Sequence, residues 1–99
     1  MSKLKLLSPN TGYYAFECPG CGYLHGYYTK PHKRDGVDMP VWDFNGDLDK
    51  PSFTPSLLVN NHDPKSRCHL HLTDGKIKYL PDCHHDLAGK TVDCPEWED

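Results

Sequence analysis

Ninety-nine residues with a net charge of −3 and a hydrophobic share of only 36% describe one domain, spanning residues 1–99, around a thin apolar core. No run of Lys and Arg supplies the footprint of a phosphate-backbone binder, so nucleic acid is disfavoured as a partner, and no apolar stretch approaches a membrane span or signal peptide. Five cysteines, an odd number, without a secretion signal point to metal ligation in a reducing cytoplasm rather than to a disulfide framework.

In chain order, residues 13–17 and 24–29 are rich in aromatic and β-forming side chains and flank Cys18-Pro19-Gly20-Cys21-Gly22. This predicts two antiparallel strands joined by a zinc-knuckle tip. Residues 30–39 have the composition of a solvated loop. Residues 41–44 predict a short strand ended by Asn45-Gly46. Pro51 and Pro55 restrict residues 50–56 to an irregular extended segment that becomes a buried strand at residues 57–59. Residues 67–73 and 76–80 flank Asp74-Gly75, the strongest hairpin signal in the chain. A two-residue turn there pairs Leu72 with Ile77 and Leu70 with Tyr79. Cys68, Leu70 and Leu72 then point to the core, and His69 and His71 to the opposite face. Asp82 predicts the cap of one helical turn over residues 84–88, stopped by Gly89, and residues 91–94 predict a last strand in which Cys94 is a buried apolar residue. The fold class expected is therefore mainly β: a small antiparallel domain resembling a zinc knuckle or zinc ribbon, with a short C-terminal helical turn.

Zinc takes thiolate and imidazole ligands tetrahedrally, and a Cys-x-x-Cys at a glycine-bearing turn aims two sulfurs at one point. Cys18 and Cys21 fit, but two ligands cannot close a site. The hairpin register brings Cys83 near Cys68, which favours Cys18, Cys21, Cys68 and Cys83 as a four-thiolate zinc site. Substitution of one sulfur by His25, His69 or His85 gives a mixed site of equally ordinary chemistry.

Histidines left over would gather with Asp82 at one end of the molecule. A histidine beside a carboxylate is the usual general base, and Ser52, Thr54 or Ser56 could be the nucleophile it activates. The structural alternative for each histidine is a solvated or hydrogen-bonded side chain without chemistry. Trp42, Phe44 and the tyrosines read as packing residues.

The strings Trp42-Asp43-Phe44-Asn45-Gly46-Asp47, Lys50-Pro51-Ser52-Phe53-Thr54-Pro55-Ser56-Leu57, Cys68-His69 and Asp82-Cys83-His84-His85-Asp86-Leu87-Ala88-Gly89-Lys90-Thr91-Val92 resemble a little-characterised family of short phage and bacterial metal-binding proteins. Its members often carry a misleading ammonia monooxygenase label, and relatives sit in bacterial operons beside ubiquitin-like proteins and their activating and conjugating enzymes. The resemblance covers roughly residues 13–97. It implies a metal-containing accessory domain, with Cys18, Cys21, Ser56, Cys68, His69, Asp82, Cys83 and His85 on motif positions; His71, His84 and Cys94 depart from the pattern. Two functions follow as expectations. The first is a zinc-stabilised domain that acts by binding a host or ubiquitin-like protein. The second is a hydrolase or peptidase acting on ubiquitin-like conjugates. In it, Ser56 or a metal-bound water is the nucleophile, His85 or His69 the base, and Asp82 the orienting group.

Overall fold

The computed structural model describes residues 2–97. Strands β1 (Lys5–Ser8), β2 (Tyr13–Cys18) and β3 (Tyr23–Tyr28) form one antiparallel sheet in that order. The tip between β2 and β3 is the Cys-x-x-Cys segment, tied by the Gly22 N–H donating to the Cys18 carbonyl at 2.8 Å, with Gly22 at φ +78°. Residues 30–39, expected as a bare loop, carry a miniature hairpin of β4 (Lys33–Arg34) and β5 (Val37–Asp38). Its turn is Asp35-Gly36, with both residues at positive φ, where glycine is unstrained and aspartate tolerated.

Strands β6 (Asp43–Phe44) and β7 (Phe53–Thr54) pair with each other and pack on the first sheet through stacked rings. Phe53 lies 4.0 Å from Tyr27 and 4.6 Å from Phe44, with rings within 7° of parallel. These contacts fix the segment that leads into Ser56. The second large sheet has the order β11 (Thr91–Asp93), β10 (Lys76–Tyr79), β9 (Cys68–Thr73), β8 (Leu57–Val59), all antiparallel. The pairing of Leu72 with Ile77 and of Leu70 with Tyr79 is the register the Asp74-Gly75 turn predicts. Cys68, Leu70, Leu72, Ile77 and Tyr79 are buried, and His69 and His71 face the other side, half-exposed.

The helical turn expected over residues 84–88 is corrected: among the described residues there is no helix. Residues 81–89 instead make a chain of tight turns, with Cys83 N–H to Leu80 O, Ala88 N–H to His85 O and Lys90 N–H to Leu87 O. Two partners elsewhere outcompete a helical nucleus that would be costly on its own. The His84 N–H is taken by the Arg67 carbonyl at 2.9 Å, and the Asp82 carboxylate reaches His69 rather than capping its own turn. No helix among the described residues is long and apolar enough to cross a membrane.

Candidate functional site

Adjacent residues of β9 serve two different clusters, because side chains alternate across a strand. Cys68 points into the core between the two sheets and His69 points out over the second one.

On the inner side, the sulfurs of Cys18, Cys21 and Cys68 and a ring nitrogen of His85 all lie within 4.8 Å of one another. Cys18 Sγ is 4.0 Å from Cys68 Sγ, which is 3.6 Å from His85 Nε2. Tetrahedral zinc bonds would set sulfur–sulfur edges of about 3.8 Å and sulfur–nitrogen edges of about 3.5 Å, so the donor set fits such an ion in chemistry and spacing. The four groups perturb one another's proton chemistry. Cys18 is pushed down to about 3, chiefly because the Cys68 thiol donates to it, with His25 and the Tyr79 hydroxyl at 3.0 Å helping against burial. Cys68 is driven upward by the same bond and by burial. Cys21 is raised to about 11 by burial and by the Cys18 charge, and burial lowers His85, keeping its ring neutral. One thiolate and a shared proton in a buried pocket is the arrangement a divalent cation would complete by displacing protons.

His85 takes the place the four-thiolate reading gave to Cys83. Cys83 Sγ instead receives the His69 N–H at 3.2 Å and donates to the His69 carbonyl at 3.1 Å, clamping the backbone of that residue. Residue spacing did not reveal this, because the tight turns after Leu80 swing residue 85, and not 83, back under Cys68. The pairing needs room at the knuckle: a Cβ on Gly20 would collide with the His85 ring. Gly20→Ala is therefore expected to cost about 1–3 kcal/mol through overpacking and to lower metal content, read by thermal melting and elemental analysis. Unchanged metal content would refute the placement of His85. Among the remaining histidines, His25 is buried with its ring edge-on to Phe16 and Tyr23, and exposed His84 has its Nε2 3.3 Å from Cys21 Sγ.

On the outer side, Ser56 Oγ lies 3.1 Å from His69 Nε2, and His69 Nδ1 lies 3.3 Å from an Asp82 carboxylate oxygen. The carboxylate assigns the proton to Nδ1, which leaves Nε2 as the acceptor of the serine proton. Ser56 comes from the extended segment before β8, His69 from β9 and Asp82 from the turn after β10. The side chains of His69 and Asp82 are 24% and 42% exposed. Of the serine and threonine candidates, Ser56 alone meets a histidine. Ser52 Oγ instead accepts the Asp74 N–H at 2.7 Å, fastening the hairpin turn. A feature the sequence did not disclose is Trp42, whose indole N–H donates to the Ser56 carbonyl at 3.2 Å and so holds the backbone of that residue. Its reading as a packing residue covers only its ring, edge-on to Tyr27.

A family model described as "Bacterial ubiquitination-like system serine protease (BubE)" matches residues 3–80 of the 99. The matched stretch includes Cys18, Cys21, Ser56, Cys68 and His69; Asp82 and His85 follow it. Searches of curated proteins and of solved structures give no match.

Proposed function

We propose that the chain, which belongs to the bacterial ubiquitination-like system serine protease (BubE) family, is itself a serine peptidase that works through Ser56, His69 and Asp82. The observation that carries this reading is the unbroken run of contacts from Ser56 Oγ to His69 Nε2 at 3.1 Å and from His69 Nδ1 to Asp82 at 3.3 Å. An accessory domain that only binds protein has no need of such a relay on an open face.

In the first half-reaction Ser56 Oγ bonds to the carbonyl carbon of the scissile amide while its proton passes to His69 Nε2. Asp82 stays ionised and stabilises the imidazolium. The proton then moves to the leaving amine as the C–N bond breaks, and the acyl group remains on Ser56. Water, deprotonated by His69, attacks that ester, and the proton returns to Ser56 as the acid product leaves. Conjugates between a ubiquitin-like protein and its target are the substrate class the family points to.

Zinc is the ion proposed for Cys18, Cys21, Cys68 and His85, on the softness of three sulfurs and one imidazole. Four protein ligands leave no position for water, so the metal would be structural. It would tie the knuckle to β9 and to the turn that carries Asp82, while the chemistry stays on Ser56.

The test is modification by a fluorophosphonate, located by mass spectrometry, alongside incubation with ubiquitin-like fusion proteins. Labelling confined to Ser56 and release of the fusion partner are expected. Labelling elsewhere, or cleavage that survives in Ser56→Ala, would remove the reading.

A further inference from the structure

Among the described residues strand β8 is an edge: the second sheet ends on it, and β9 is its one strand partner. The direction of its backbone groups follows from register. The His69 carbonyl accepts the Leu80 N–H at 2.9 Å and the His69 N–H goes to Cys83, so both main-chain groups of His69 point toward β10 and the turn after it. Neighbouring residues alternate, so Cys68 and Leu70 turn theirs toward β8, where their partners are Val59 and Leu57. Leu58, opposite His69, then points its N–H and carbonyl away from the sheet. To either side of it the outward carbonyls are already used: Trp42 holds that of Ser56 and the Asp63 N–H holds that of Asn60. Leu58 is therefore, among the described residues, a single open donor and acceptor pair on this edge, two residues from Ser56; the residue is 40% exposed, with its side chain on the same face as Ser56 and His69.

We infer that this edge is the acyl-side substrate subsite and takes an extended peptide by antiparallel strand addition at Leu58. The inference rests on the peptidase reading and specifies its substrate: a segment free of secondary structure, recognised through its main chain. One substrate residue exchanges both main-chain hydrogen bonds with Leu58. The next residue turns its amide to solvent, and the one after it presents the reacting carbonyl at Ser56. Antiparallel direction alone delivers the carbonyl end of the peptide to the serine. Because the Trp42 indole occupies the Ser56 carbonyl, pairing stops where the bond is to be cleaved. A folded loop or helix cannot offer an unpaired edge of this kind, so the subsite selects flexible tails and linkers.

The probe is an acetylated alanine tetrapeptide with a diphenyl phosphonate in place of its C-terminal carboxyl, compared with a small alkyl fluorophosphonate on the full-length protein. N-methylation of the residue that faces Leu58 is expected to slow labelling of Ser56 about tenfold or more, the size of a lost main-chain bond plus a clash. N-methylation of the next residue should change it less than about threefold, since that amide faces solvent. Leu58→Pro removes the outward N–H and no bond to β9, which an edge position tolerates. It should erase the rate advantage of the peptide over the alkyl reagent, whereas Leu58→Ala should keep the alternation. Equal rates for both methylated peptides, or no advantage of the tetrapeptide over a single-residue phosphonate, would overturn strand addition. If the alkyl reagent spares Ser56, it is the peptidase reading that fails. The edge is then judged by amide NMR with acetyl-tetraalanine amide, where a shift centred on the Leu58 N–H supports it and a flat titration refutes it.

Discussion

Asp82→Asn should lower kcat/KM by on the order of 10³–10⁴-fold with little change in KM or melting temperature. The amide can turn its NH2 toward His69 Nδ1, which then accepts a hydrogen bond and forces the ring proton onto Nε2. A protonated Nε2 cannot take the proton of Ser56 3.1 Å away, so a near-isosteric change reverses the polarity of the relay. Stability should barely respond, because the His69–Asp82 pair is substantially exposed and such pairs contribute about 0–1 kcal/mol. Ser56→Ala should abolish turnover to the same degree with the same unchanged melt. Peptide hydrolysis and thermal denaturation measured in parallel decide the matter. A loss of only twofold to threefold in Asp82→Asn would mean that the carboxylate merely neighbours the histidine.

The legible parts of the fold were those dictated locally. Asp74-Gly75 fixes a two-residue turn, and the period of two then places every side chain of β9, so the separation of Cys68 from His69 follows from the residues alone. The knuckle strands follow for the same reason. What local pattern could not give is the path of residues 80–90. Asp82 before a short stretch ended by glycine has the composition of a capped turn of helix, and propensity alone favours it. Tertiary partners prevail: Arg67 takes the His84 N–H, His69 takes Asp82, and the chain coils so that residue 85 lies beneath Cys68. The exchange of Cys83 for His85 in the cluster is the direct consequence. The hydrogen bond from Trp42 to Ser56 spans 14 residues and depends on how β6 and β7 stack on Tyr27, a contact with no sequence period.

Removal of the zinc proposed for the cluster should unfold the domain. A chain of this length has a net stability of about 5–15 kcal/mol, and a structural zinc site of cysteine and histidine ligands supplies about 10–16 kcal/mol near neutral pH, so the apoprotein retains little or none. The cluster joins the β2–β3 knuckle, strand β9 and the turn before β11, three pieces otherwise linked through a core of few aliphatic side chains. Elemental analysis should find one zinc per chain. Titration with a strong chelator should give a cooperative loss of near-ultraviolet circular dichroism, with fluorophosphonate labelling of Ser56 falling in step as β9 releases His69. Single substitutions separate the two cysteines near the hairpin mouth. Cys68→Ser should reduce metal content well below one, whereas Cys83→Ser should keep the metal and instead reduce kcat, because only the clamp on the His69 backbone is weakened. A chelated protein that is metal-free yet melts at the original temperature would show that the apolar core suffices and that the four side chains converge without holding an ion. Full metal loss in Cys83→Ser with full retention in His85→Ala would return the fourth position to the cysteine.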